Sequence, residues 1–440
     1  MTSPSPAADP TPVGTPHPAL VVRTVSVPVS RVGDLLALLP EPQDAGDIVS
    51  WVRKSEGFVG WGRVATFRAT GADRFERAQE WWRAVTAEAI VRDDVDEPGT
   101  GPIAFGSMAY SRRSETESVL VVPEVVVGRR GGLAWVTTTT TDATVPPADE
   151  PLTPQPAPTS PGEVDFIDRD LDAPSWALAV EEAVARISAG ALDKVVLARA
   201  VQASASRRID PRWVLTRLAE DYDTTWVFAV DGLVGATPEM LVRLERGLVT
   251  SRVLAGTIRR AGAGASSEEQ DLALAASLAR SSKDLEEHEY AVRSVEAALR
   301  PHCSSMNVPD APFVLNLPNV LHLATDVSGA LAGGASSLTL AASLHPSAAV
   351  CGTPTNEAAL VIDELEHMDR GRYAGPVGWI DAAGDGEWGI ALRSGQIDIE
   401  NPCRIRLFAG CGIVAGSDPV SEVAESVAKL SPMREALRDD

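Results

Sequence analysis

Apolar and polar positions recur with two different periods along this chain, and the switches between them outline its elements. FERAQEWWRAVTAEAIV, Phe75 to Val91, has helical spacing, whereas SVLVVPEVVVGRRGGLAWVTTTTT, from Ser118, predicts strands joined by a glycine-containing turn. SWALAVEEAVARISAGALDKVVLARAV predicts a helix closed by Gly190 and then a strand through Lys194. GATPEMLVRLERGLVTSRVLAGT alternates and reverses at Arg246-Gly247, the pattern of a hairpin that would place Glu239 within a strand. From Ser266 or Ser267, with Glu269 in capping-box position, one long helix is expected to run towards His302. YAGPVGWID, GEWGIALRSG and CRIRLFAGCGI predict three later strands, the second carrying Arg393, and a last helix starts at Asp418-Pro419.

Two segments break this patterning. Residues 1–17 are rich in Pro, Ser, Thr and Ala and are expected to be a disordered tail. Residues 145–163, again proline-rich, read as a loop or linker between an N-terminal part, 18–144, and a region 164–436. No internal repeat of fixed period is visible. The alternation of helices and strands gives an α+β enzyme pattern, without a dinucleotide-binding or P-loop motif.

Composition narrows the partners. A net charge of −22 opposes phosphate backbones and anionic lipid, so neither nucleic acid nor membrane is expected. The four cysteines form no CxxC pair and the six histidines no zinc spacing, which fits reduced thiols and a cytoplasmic location. An anionic small substrate would need local cations or a metal. Of 39 basic residues only four are lysines (Lys54, Lys194, Lys283, Lys429), so a lysine at the mouth of the apolar strand LDKVVLARA stands out. Arginine does not give up its proton in a protein, while a desolvated or crowded lysine does.

Acidic pairs mark two helices. Asp284 and Glu287 lie three apart, and Glu422, Glu425 and Lys429 recur at i, i+3 and i+7, so each set shares one helical face. Such faces serve either as solvated surfaces or as oxygen ligands for Mg²⁺, and the spacing leaves both open. Glu239, after Pro238 in an apolar run, suits an acid of raised pKa or an edge-strand glutamate. Arg393 suits a bidentate carboxylate anchor or a structural ion pair.

Taken in order, KVVLAR, GATPEMLV, LAGT, SSKDLEEH, LHLATDVSG, LHPSAAVCGTP, RYAGPVGWID, GEWGIALR, LFAGCGIV and EVAESVAKLS resemble the chorismate-utilising enzymes, most of all their isochorismate synthases. The resemblance is strong from Asp165 to Met433 and fainter from Pro18 to Thr141, through WVRKSEGFVGWG and GPIAFGSMAYS. It implies one large α+β unit in which two facing β-sheets, with helices outside, enclose a buried site. Three domains, expected from length alone, give way to that single unit.

The resemblance further implies Mg²⁺-dependent, reversible conversion of chorismate to isochorismate. Lys194 matches the base that activates water and Glu239 the acid that protonates the departing hydroxyl. Glu287 and Glu425 match the metal-holding residues and Asp284 and Glu422 their neighbours, with Asp284 a departure because relatives often carry Glu there. Gly256, Thr257 and Lys429 match the ring-carboxylate pocket, Tyr373, Arg393 and Gly412 the enolpyruvyl-carboxylate clamp, and His322 a place near the ring. Ala255 stands where one type of aminodeoxychorismate synthase has a nucleophilic lysine. LHPSAAVCG replaces the FPAGTVSG usual in anthranilate synthases, and salicylate synthases also lean towards the FP form. The implied enzyme therefore needs no glutaminase partner, whereas salicylate synthase and the aminating subunits are the alternative readings; a monomer is expected, although no motif of the chain sets the oligomeric state. Whether its product feeds menaquinone, siderophore or salicylate synthesis is not written in the chain.

Overall fold

The computed structural model describes residues 19–142, 144, 152–259, 267–316 and 320–439. The tail 1–17 and the first part of the 145–163 segment lie outside them. The rest of that segment is held on the body, with Gln155 N donating to Ala37 O at 2.8 Å and Arg212 donating to Pro156 O at 3.2 Å.

Two sheets, of 13 and 10 strands, organise the described residues. The strands stay in register because one residue's slip would turn every apolar side chain out of the core. Between the sheets, Trp51, Phe58, Trp135 and Phe228 from the larger meet Phe105 and Trp379 from the smaller. Phe58 stands edge-on to Trp379 at 4.9 Å, the favoured geometry for rings with negative faces and positive edges. A polar strut crosses the same gap, Trp51 Nε1 donating to Glu387 Oε2 at 2.8 Å.

The chain changes sheet at two double corners. Leu233–Thr237 belongs to the larger sheet and Met240–Glu245 to the smaller, so the chain crosses at Pro238-Glu239. Its neighbour makes the return crossing, from Gly386–Ile390 to Ser394–Ile397, through Ala391–Arg393. Glu239 and Arg393 are therefore not strand residues, as the alternating pattern predicts, but the corner residues between strands. Pro238 helps to break the ladder, and Arg393 takes a positive φ of 47°. The two crossings are tied by Ile390 N donating to Glu239 O and Ala236 N to Arg393 O.

Glu56–Trp61 and Val125–Arg130 cross in the same paired way to Ala65–Ala69 and Ser118–Val122. The pairing order thus repeats once through the molecule, a repeat without the fixed period that sequence comparison detects. Unequal insertions remove the period: only a helix and a short strand separate Ala69 from Ile103, whereas five strands and several helices separate Glu245 from Pro376.

Other boundaries follow local chemistry. Arg246 and Gly247 have φ of 47° and 82°, as a two-residue hairpin requires, and the predicted turn is present. The helix expected from Phe75 to Val91 ends at Ala87, and Ile90–Asp93 pairs instead as an edge strand. The single helix expected up to His302 is two, Ser267–Leu278 and Ser282–Leu299. Tight closures, Arg280 N to Ser277 O and Ser281 N to Leu278 O, end the first. The capping box at Ser266 or Ser267 with Glu269 lies outside the described residues and side chains.

Candidate active site

Strand Lys194–Ala205 runs antiparallel to Arg404–Ile413, pairing Val196 with Gly412 and Ala198 with Gly410. Small residues on the partner make room for long side chains. A Cβ at Gly412 would stand 3.1 Å from Lys194 Cε, and one at Gly410 would stand 3.2 Å from the Tyr373 hydroxyl. Tyr373 is held flat on Phe408, with centroids 5.0 Å apart and an 11° interplanar angle. Burial raises its phenol well above the ordinary value, so it meets a ligand as a neutral donor.

Helix Pro419–Ala436 begins where expected, with the Asp418 carboxylate accepting from Ser421 N at 2.8 Å. Leu430, Met433 and Ala436 pack into the core with Leu215 and Leu218, and a different face carries Glu422, Glu425 and Lys429. Lys429 Nζ donates to Gly410 O at 2.9 Å and pairs with Glu425 at 2.8 Å, fastening that face to the strand beside Lys194. Arg393 from the corner reaches Lys429 O at 3.4 Å.

Glu239 faces these cations from the corner. It is partly buried, and its carboxyl is pushed up to about 7 by burial, against the pull of Lys194, Lys429 and Arg393. An acid able to hold its proton near neutrality thus stands within electrostatic reach of a lysine. Because the folded value lies above the ordinary 4.5, this proton stabilises the fold fully below about 4.5, and the gain is lost as pH rises through about 7. Glu239→Gln is therefore expected to raise thermal stability most near about pH 8 and least near about pH 4.5, read by melting temperature across pH. A gain independent of pH would contradict the raised carboxyl.

Across the gap, strand Leu248–Arg259 is broken by a bulge between Ala255 and Thr257, with Gly256 at φ 79°. His322 lies opposite Thr257, hydrogen-bonds the Gly256 backbone, and is kept below its ordinary pKa chiefly by burial. The side chains of Thr257, Asp284 and Glu287 lie outside the described ones. Helix Ser282–Leu299, which bears the last two, is anchored by buried His288, whose Nε2 lies 2.7 Å from Thr325 Oγ1. Beyond Pro238, His322 and Arg393 lies a further cavity of about 1320 Å³, reaching to Arg53 and Trp226.

Cys411, Glu422 and Glu425 place one ligand atom each within 4.8 Å of one another. Burial chiefly raises the Glu422 carboxyl, with Glu425 adding repulsion and a Ser417 hydrogen bond opposing it. Burial pushes the Cys411 thiol up to about 12, so it remains a thiol near neutrality. Half-buried carboxylate oxygens repelling one another are what a hard divalent cation relieves, so this half of the proposed donor set fits Mg²⁺. Cys411 and His288 escaped the sequence reading as participants, although each adjoins a residue that it named.

The model of the family described as chorismate binding enzyme matches residues 17–438, nearly the whole chain. The chain belongs to that family. The isochorismate synthase MenF of Bacillus subtilis is 40% identical over 272 residues, 61% of this chain and 56% of MenF, so the match spans little more than half of that relative. The salicylate biosynthesis isochorismate synthase of Pseudomonas aeruginosa is 33% identical over 410 residues, 88% of this chain and 84% of that enzyme. A solved structure assigned as the 2,3-dihydroxybenzoate-specific isochorismate synthase DhbC of Bacillus anthracis superposes with a TM-score of 0.72 at 31% identity, over 92% of this chain and 99% of that one. The facing sheets around an enclosed site are thus the architecture of chorismate-binding enzymes. Among the described residues no helix is long and apolar enough to cross a membrane.

Proposed function

We propose that this chorismate-binding enzyme is an isochorismate synthase, an isomerase acting in the cytoplasm as a monomer without a glutaminase subunit. The observation that carries the reading is that Glu239, its proton held near neutrality by burial, lies within electrostatic reach of Lys194, Lys429 and Arg393. Moving a hydroxyl around a ring needs a group that takes a proton from water and another that gives one to the leaving oxygen.

Lys194 accepts a proton from water as the water oxygen bonds to ring C2. The ring double bonds shift, the C4–O bond breaks, and Glu239 protonates the oxygen that departs as water. One water enters and one leaves, so the reaction is an isomerisation and runs in either direction. Arg393 and Tyr373, with the backbone at Gly412, hold the enolpyruvyl carboxylate, and Gly256, Thr257 and Lys429 line the ring-carboxylate end. His322, neutral through burial, donates or accepts a hydrogen bond near the ring without adding charge. Glu425 and Glu287 would hold Mg²⁺, with Glu422 and Asp284 acting through its waters. When bound, the ion neutralises the ring carboxylate in a chain whose own charge is −22.

The purified protein given chorismate and Mg²⁺, without glutamine or a second subunit, is expected to produce isochorismate, identified after chromatographic separation. Isochorismate alone is expected to return chorismate. Anthranilate formed with added ammonia, or salicylate as the main enzymatic product, would replace this reading by that of an aminating or lyase relative.

A further inference from the structure

The strand that carries Lys194 has an incomplete neighbour. On one side Arg404–Ile413 pairs with it throughout, but on the other Val164–Arg169 pairs only with Ala200–Ala205 and Gly352-Thr353 only with Lys194 and Val195. Between them, Val196 and Ala198 turn their N–H and C=O groups towards a side with no strand. Buried backbone groups must be paired, so these four need partners from elsewhere.

They find them mostly in side chains. Ala198 N donates to Glu366 Oε1 at 2.7 Å, and Arg370 donates to Val196 O at 2.7 Å. Cys351 O accepts from Val196 N at 2.8 Å, and Trp176 Nε1 donates to Ala198 O at 3.1 Å. Glu366 and Arg370 form an ion pair with only 2% of either side chain exposed. Arg370 also donates to Val350 O at 2.8 Å and lies 4.3 Å over the Tyr110 ring. The pair thus replaces a missing strand segment immediately after Lys194. It also fixes a turn of the clamp, because Tyr373 N donates to Arg370 O at 3.1 Å.

We propose that Glu366 and Arg370 are positioning residues for the reaction, their buried ion pair capping the open edge at Val196 and Ala198 so that Lys194 and Tyr373 keep one fixed spacing. Neither residue touches substrate; both act through the backbone of residues that do. The role rests on the reading of Lys194 as the base. A buried pair of this kind adds little net stability, since desolvation offsets its attraction, and replacing both charges together is usually tolerated. Its value here is geometric, and misplacement of a reacting group by about 1 Å costs on the order of 10²-fold in rate.

Two double replacements separate geometry from stability. Glu366→Leu with Arg370→Met removes the charges and also the bonds to Val196 and Ala198. Glu366→Gln with Arg370→Gln removes the charges but keeps an acceptor for Ala198 N and a donor for Val196 O. The Leu/Met protein is expected to lose roughly 10 to 100-fold in kcat with KM within about threefold, and the Gln/Gln protein to recover to within about threefold of wild type. Acylation of Lys194 by an amine-directed reagent, followed by peptide mass spectrometry, is expected to change rate in Leu/Met and not in Gln/Gln. A folded Leu/Met protein with wild-type kcat and an unchanged Lys194 labelling rate would overturn the proposal, as would equal kcat losses in both variants. If Leu/Met does not fold, Glu366→Gln with Arg370→Met, which loses the Arg370 contacts to Val196, Val350 and Tyr110 but keeps an acceptor for Ala198 N, takes its place with the same criteria. Should the wild-type protein make no isochorismate, the function proposed above fails, and the labelling rates alone decide the positioning role.

Discussion

Replacing Lys194 with arginine is expected to lower turnover by roughly 10² to 10⁴-fold, almost as far as replacement with alanine. The substitution keeps the positive charge and the approximate reach but removes the capacity to accept a proton near neutral pH. It therefore separates a base from an electrostatic anchor. Space acts in the same direction, because Lys194 Cε lies where even a methyl group on Gly412 would crowd it at 3.1 Å, and a branched guanidinium is broader than an ammonium. Chorismate binding, measured by calorimetry on the inactive variant, is expected to survive through Arg393 and the carboxylate pocket. A Lys194→Arg protein with more than about a tenth of wild-type turnover would mean that water is activated elsewhere.

Glu425→Gln is expected to abolish turnover that depends on Mg²⁺, and Glu287→Gln to do the same, with Asp284→Asn milder because it would act through water. Three observations support the first of these: Glu425 pairs with Lys429, approaches Glu422 within the ligand cluster, and adds to the raised Glu422 carboxyl. Removing one negative charge relieves repulsion in the apo protein, so Glu425→Gln is expected to melt at the same or a higher temperature without metal. An ion that binds only the folded state raises the melting temperature, with a stabilisation that grows as the logarithm of its concentration above Kd, and that rise is expected to vanish in both variants. Turnover near wild type at limiting Mg²⁺, together with an intact metal-induced rise in melting temperature, would return these acidic faces to solvent.

Much of the site was legible because its chemistry is local in sequence. Lys194 stands out by residue choice, although its role as base comes only from the family resemblance. Asp418-Pro419 stands out by cap chemistry and Glu422, Glu425 and Lys429 by helical spacing, and the structure places the last three on one helix with Lys429 paired to Glu425. The α+β class and the two facing sheets were likewise expected. What pattern could not supply was where a strand stops belonging to one sheet and joins the other. GEWGIALRSG has no proline and runs apolar through Ile390-Ala391-Leu392, yet it divides between sheets at Leu392-Arg393, since an apolar run reports burial and not which sheet provides it. The break between Leu278 and Ser282 was hidden for a related reason: LARSSKD has no glycine or proline, and the serines that end one helix also suit the start of the next. The Glu366–Arg370 pair reads from sequence as an ordinary i, i+4 surface pair, and only the missing strand beside Val196 gives it another meaning.

The repeated path of the chain has a practical consequence for anyone wishing to rebuild this protein. One double corner carries Glu239 and Arg393; its counterpart, around Gly62–Val64 and Pro123-Glu124, occupies the corresponding topological place. The counterpart is nevertheless firmly braced, with Val64 N on Val122 O at 2.9 Å and Glu124 N on Trp61 O at 3.0 Å. The molecule therefore offers a spare vertex: a braced mounting on other strands, onto which a designer can graft an acid or a ligating side chain while the Glu239 corner, left unaltered, serves as an internal gauge of whether the scaffold has survived.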